Sequence, residues 1–299
     1  MARAQSELGF KKVLSVGVDA EAAIVQVGGV AEDSLGYIHV TDQVDCSVKK
    51  FDKYGKYLGK AGRYGRGEGE FQGPRKISIH DGLLAISDSP TAVVHIFGTD
   101  HTYRHSLTMP SAVGDVAFDK RGRLYVACYT DYLENLLILY DLEGQIVNRV
   151  ACKAARGDMF FDAVSISVTP ENNLVVVYRH FNVIELYSPE GEFAKSFSVT
   201  SLPLQSKAKK LPNGRSVPAD VLLADVGVDG IGRIYILGGA YSPTPYRDVY
   251  IFDQKGNLLN TLTLPEVSGV LVLSNRGNLF TREKQRTIVS KYEIIGKIE

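Results

Sequence analysis

Gly36-Tyr37-Ile38-His39-Val40-Thr41-Asp42, followed by Ser47-Val48-Lys49-Lys50-Phe51-Asp52-Lys53-Tyr54-Gly55-Lys56, is a phrase that this chain repeats. A glycine-led apolar run is followed by a short gap, then a second run that closes on an aromatic residue and a polar turn ending in glycine. The phrase returns as Gly82 to Asp88 with Val93 to Phe97, and as Gly122 to Ala127 with Leu137 to Gly144. It returns again as Asn173 to Val177 with Ile184 to Gly191, and as Gly232 to Leu237 with Val249 to Gly256. A weaker copy joins Gly277 to Thr281 with Ile288 to Tyr292. The aromatic closing residues Phe51, Phe97, Tyr140, Tyr187, Phe252 and Tyr292 are spaced by 46, 43, 47, 65 and 40 residues. A period of that size, carrying several short strands, is the signature of a β-propeller. Six markers predict an all-β, six-bladed β-propeller with four-stranded blades.

The third unit shows how one blade is built. Val113 to Phe118 is expected as strand a, Arg123 to Cys128 as b, Leu136 to Tyr140 as c and Gln145 to Val150 as d. Asp119-Lys120-Arg121-Gly122 and Asp141-Leu142-Glu143-Gly144 join them. An Asp that opens such a turn and a Gly that closes it suit a type I turn followed by a left-handed position. The blades are placed at approximately 19–60, 73–110, 111–152, 159–199, 217–265 and 266–299, the last completed by 10–18. That last assignment arises because Lys11 to Val16 precedes the first unit, whereas the sixth runs out after strand c. Pairing the two ends removes an exposed sheet edge. The repeats run nearly end to end, so 1–299 is read as one domain.

Composition narrows the function classes. Apolar residues make up 44% of the 299-residue chain and charged residues 23%, ordinary values for a folded globular protein. Lys plus Arg equal Asp plus Glu at 34 each, so no net field attracts nucleic acid or an acidic membrane. No apolar run reaches the length of a transmembrane helix. Met1 to Glu7 lacks the apolar core of a secretory signal, and this start suits a cytoplasmic chain and a mature envelope domain equally. Three cysteines, Cys46, Cys128 and Cys152, do not make a disulfide framework.

Gly62-Arg63-Tyr64-Gly65-Arg66-Gly67-Glu68-Gly69-Glu70-Phe71-Gln72-Gly73-Pro74 resembles the linker of NHL-repeat propellers, a glycine-rich stretch ending in Glu-Phe and Pro before the inner strand. The match continues through Ile77 to Asp88 and Val93 to Phe97. Blades one, three and five agree fairly. Blades four and six depart, with Thr169-Pro170-Glu171-Asn172 and Ser274-Asn275-Arg276 where the Asp-x-x-Gly turn is expected. The chain as a whole is similar to bacterial six-bladed propellers, many of them envelope proteins. That resemblance implies the fold; for function it spans binding domains, RNA-binding domains, lyases and hydrolases.

Catalytic signals are few. Asp100-His101-Thr102-Tyr103-Arg104-His105 holds two histidines four apart, but in an extended segment this is about 13 Å of chain. A solvated hairpin accounts for them better than a metal site. The lyases of the superfamily draw histidines from several blades, and no matching set is present. There is no nucleophile elbow, phosphate-cradling loop or Cys-x-x-Cys pair. Lys207 to Arg215, the one basic run, reads as a solvated loop, and nucleic acid is not an expected partner.

The insertions are more informative. Thr200–Val217 is a d-to-a connection, whereas 238–247 and 129–135 are b-to-c connections. All three open on the same face, conventionally the top, and long loops on a rigid scaffold commonly carry function. The candidate binding residues there are Arg75, Asp88, Tyr129, Asp131, Tyr132, Arg179, His180, Tyr241, Tyr246 and Arg247. Lys76, Asp115 and Asp225, which share one inner-strand repeat position with Ser165, complete the candidate binding set at the top of the central channel; the bland alternative is that they hydrogen-bond channel water. The reading is a monomeric, non-catalytic binding or scaffold propeller for a peptide, protein or glycan, with no cofactor. Its rival is a metal-dependent lyase or hydrolase that holds a divalent ion in the channel.

Overall fold

The structure is a computed structural model that describes residues 8–18, 22–283 and 287–296. The expected outer limits of blade one at 19 and blade six at 299, and the leader reading of Met1 to Glu7, lie outside the described residues. Strand β1 (Gly9–Val16) comes first. Blade one is β2 (Val27–Glu32), β3 (Ile38–Asp42), β4 (Ser47–Phe51) and β5 (Tyr57–Ala61). Blade two is β6 (Pro74–His80), β7 (Leu83–Asp88), β8 (Val93–Gly98) and β9 (Tyr103–Thr108). Blade three is β10 (Val113–Phe118), β11 (Leu124–Cys128), β12 (Leu137–Tyr140) and β13 (Ile146–Arg149). Blade four is β14 (Val164–Val168), β15 (Leu174–Tyr178), β16 (Ile184–Tyr187) and β17 (Phe193–Phe197). A small hairpin, β18 (Ala208–Lys210) with β19 (Ser216–Pro218), precedes blade five. Blade five is β20 (Leu223–Val228), β21 (Ile234–Gly238), β22 (Asp248–Phe252) and β23 (Leu258–Thr263). Blade six is β24 (Ser268–Leu273), β25 (Leu279–Glu283) and β26 (Val289–Ile295), with β1 as its outer strand in the order β1-β26-β25-β24.

The chain is therefore an all-β, six-bladed propeller with four-stranded blades. Its ring is closed by the first strand, which pairs antiparallel with the last from Gly9↔Ile295 to Val16↔Val289. The inner strands β2, β6, β10, β14, β20 and β24 pack against one another in that order around the axis.

The recurring aromatic is explained by packing. Phe51, Phe97, Tyr140, Tyr187, Phe252 and Tyr292 are all buried, each in the apolar cluster between its own blade and the preceding one. Burying such a ring is worth about 1.5–3 kcal/mol. In blades one to five the pairing of strand c with strand d also slips at this residue, as between Lys50 and Phe51 or Ile251 and Phe252. The bulge bends the outer strand around the ring.

The turns follow their opening residues. Asp119 Oδ1 accepts the N–H groups of Arg121 and Arg123, and Gly122 takes φ +80°. Blades four and six, whose sequences depart from this pattern, form the same turn. Thr169 Oγ1 accepts from Asn173 N at 3.2 Å, and Ser274 Oγ accepts from Arg276 N and Asn278 N at 3.3 Å. Asn172 supplies the left-handed position at φ +68°, which Asn tolerates better than most residues. The Gly62–Gly73 linker is likewise self-organised. The Glu70 carboxylate binds Arg63 Nε and Gly67 N, and Phe71 is fully buried against Phe97.

Candidate binding surface

Strand direction sorts the connections. The a-to-b and c-to-d turns, two to five residues long among the described residues, open on the bottom face. Every fully described connection longer than five residues opens on the top: 62–73, 129–136, 150–163, 198–222 and 239–247. The sequence reading singled out parts of three of these. It missed 150–163 as part of the same surface, although the spacing from Val150 to Val164 carried the signal.

Four of the five cover blades three to five and are tied together. Asp131 Oδ1 accepts from Met159 N at 2.8 Å and pairs with Arg215 of the β18–β19 hairpin at 3.5 Å. The same Arg215 guanidinium lies 4.4 Å above the Phe160 ring. Arg156 stacks 3.9 Å above Phe181 and reaches Gln205 Oε1. Tyr241 accepts from Lys207 N at 2.9 Å. The basic run 207–215 is exposed, as a solvated loop would be, but is ordered as part of a hairpin held to its neighbours. Large apolar side chains remain exposed on this platform: Tyr132 at 68%, Leu204 at 83%, and also Leu133 and Phe160. Of these, only Tyr132 was singled out from sequence.

The other expected residues divide by role. His180 Nδ1 lies 3.0 Å from the Asp220 carbonyl, and its edge meets Phe161; burial holds it down at about 4, so it is neutral at pH 7. Tyr246 donates to the Asp220 carboxylate. Arg247 Nε donates to Leu264 O at 2.6 Å, which holds the strand entry. Asp88 is fully buried and accepts from Gln72 N, Gly73 N and the Thr91 hydroxyl, so its carboxylate shapes its own loop.

The inner-strand residues meet one another directly. Lys76 Nζ crosses the channel to Asp225 Oδ1 at 2.8 Å and lies 3.4 Å from Asp115 Oδ2, an ion triad from blades two, three and five. Both carboxylates also cap a neighbouring inner strand: Asp115 accepts from Ile166 N and Asp225 from Leu271 N. Burial lowers the Lys76 pKa, but the two carboxylates outweigh it and the net shift is upward. For Asp115, burial outweighs the ammonium and raises its pKa. Ser165, at the same repeat position, keeps its buried Oγ without a hydrogen-bond partner among the described residues. Below the triad, a cavity of about 500 Å³ runs along Ile77, Val116, Ile166, Val226 and Val270 to the bottom turns.

No family model and no curated protein sequence matches this chain. Solved structures do. A Bacteroides thetaiotaomicron protein of unknown function superposes with TM-score 0.66 at 12% identity, over 96% of this chain and 76% of that one. Virginiamycin B lyase from Staphylococcus aureus gives 0.61 at 10%, over 97% and 100%. The WD40 repeats of RRP9 give 0.61 at 13%, over 98% and 99%. At these identities the likeness is one of fold.

Proposed function

We propose that this propeller is a monomeric, non-catalytic binding or scaffold protein that takes a protein, peptide or glycan on its top face. One observation carries the reading: the long connections share one face, and four of them interlock into a platform with exposed Tyr132, Leu204 and Phe160. Aromatic anchors on rigid supports are the usual centres of binding hot spots. The likeness to WD40 repeats supports a scaffold role, and the blade-two linker resembles the NHL class of propellers. The test is a glycan array and an affinity capture with the intact chain, each repeated with Tyr132→Ala. Retention of the same ligand at undiminished strength by the variant would refute the assignment.

The likeness to virginiamycin B lyase supports a second reading, a metal-dependent lyase or hydrolase with its ion in the channel. The donor set does not fit. Asp115 and Asp225 are the channel carboxylates of this reading, yet the Lys76 ammonium lies between them, and each also accepts a backbone N–H from a neighbouring inner strand. A stoichiometric divalent metal in elemental analysis of the purified protein would reverse that judgement.

A further inference from the structure

Tyr129 and Arg179 occupy equivalent places on neighbouring blades. Each is the first residue after strand b, and each donates its N–H to the residue before the inner strand of its blade: Tyr129 N to Ala112 O and Arg179 N to Ala163 O. The Tyr129 ring lies over Gly114 of the inner strand β10, where a Cβ atom would meet it at 3.3 Å. Arg75, one residue before the triad lysine, reaches from blade two to stack 5.6 Å from that ring. Arg179 is near enough for its charge to oppose the Lys76 ammonium. On the next blade the equivalent residue is Gly239, which adds no side chain to the mouth.

The charges at this mouth are not matched. Lys76 is satisfied by Asp115 and Asp225. Asp220, whose carbonyl meets His180 beside Arg179, has its carboxylate taken by Tyr246. No carboxylate pairs with Arg75 or Arg179 among the described residues, and Arg179 Nε is buried without a hydrogen-bond partner there. A buried donor with nothing to bond costs about 1–3 kcal/mol, more when the group is charged. An oxyanion satisfies two guanidinium groups at once, through forked, charge-assisted hydrogen bonds.

We propose that the top mouth of the channel is an oxyanion site, in which Arg75 and Arg179 hold a carboxylate or phosphate group of the ligand beside the Tyr129 ring. This deepens the top-face reading, and rests on it for the direction of approach.

The test is titration of the full chain at low ionic strength with inorganic phosphate and, separately, with succinate, followed by calorimetry and thermal shift. Saturable binding of either anion is expected, weakened at least about tenfold in Arg179→Gln and in Arg75→Gln, and unchanged in Lys255→Ala on the bottom face. Should Arg179→Gln fail to fold, Arg179→Lys keeps the charge and loses the fork, and should still weaken binding. Saturation by phosphate alone assigns a phosphate-bearing ligand; saturation by succinate alone assigns a carboxylate. Absence of saturable binding at millimolar concentrations of either anion overturns the proposal, as does equal affinity in the arginine variants. Because no partner takes part, such a failure removes only the anion site. Failure of the top-face reading shows instead as partner binding indifferent to Tyr132.

Discussion

Two clusters of charged and titratable side chains carry consequences at the scale of single residues. Removing the Lys76 ammonium leaves Asp115 and Asp225, both buried, facing one another without a cation between them. Breaking a buried pair in this way costs about 3–5 kcal/mol. Lys76→Met should therefore lower the unfolding free energy in urea by that order, and a loss under about 0.5 kcal/mol would deny the triad a structural role. On the bottom face, Asp33, His39 and His101 link blades one and two. His39 Nε2 lies 3.3 Å from Asp33 Oδ2, and His39 Nδ1 lies 3.0 Å from His101 Nε2. With His39 neutral, its Nε2–H donates to the carboxylate, and His101 Nε2–H donates to His39 Nδ1. Burial, aided by the Lys50 charge and by repulsion from His39 once that ring is protonated, pulls His101 down to about 3, and burial also lowers His39. A histidine whose folded pKa lies below its unfolded value binds fewer protons when folded, so its contribution is complete above about pH 6.5 and is lost as pH falls towards the folded value. The melting temperature should drop between pH 7 and pH 4. His101→Asn, which tolerates the observed φ of +69°, should flatten that slope. An unchanged slope would place the acid sensitivity elsewhere.

At the scale of elements, the closing strand is the strongest test of the architecture. β1 buries Val16, sets Phe10 edge-on to Tyr292 at 6.4 Å, and pairs Lys12 with Glu283. Gly55 of blade one meets Leu14, where an added Cβ would come within 2.9 Å. Deleting residues 1–18 should cost several kcal/mol and expose the edge of β26, so the truncated chain should also self-associate. A truncated chain that melts at the original temperature and stays monomeric would contradict the closure. This strand was legible from sequence as 11–16, because an apolar run outside any complete unit pointed to the missing outer strand. Its start at Gly9 was not, since Lys11 and Lys12 are exposed and break the alternation. The blades were legible because one aromatic per unit must fill each gap between sheets. The Lys76–Asp225 bond was not: the two residues are 149 apart, and a shared repeat position says nothing about which blades meet across the axis. The partners of Asp88 were not legible for a related reason. A carboxylate at a loop entrance looks the same in sequence whether it meets a ligand or three donors of its own loop.

At the scale of the whole molecule, the two faces differ in what they can lose. The apolar clusters that hold the ring lie between neighbouring blades and draw on no residue of 207–219, and the β18–β19 hairpin belongs to none of the six four-stranded sheets. It touches the rest through Asp131–Arg215, Phe160–Arg215 and Lys207–Tyr241, contacts exposed enough to be worth about 1 kcal/mol or less for the ion pair. Replacing 207–219 by a short Gly-Ser linker should leave the melting temperature nearly unchanged, because loop-closure entropy varies slowly with length. The same change should remove partner binding if the platform is the recognition surface. Tyr132→Ala and Tyr241→Ala should each weaken it by about 2 kcal/mol, the usual scale for an aromatic anchor. Lys53→Ala and Lys255→Ala alter bottom turns that point the other way, and should leave affinity alone. Stability and affinity thus become separable by face, which a catalytic channel would not allow: a channel ligand would respond to Lys76→Met and ignore the hairpin. Measuring one ligand against the hairpin deletion, the two tyrosine variants and the two lysine variants therefore decides between platform and channel. If the bottom lysines matter while the hairpin and tyrosines do not, the top face is not the recognition surface.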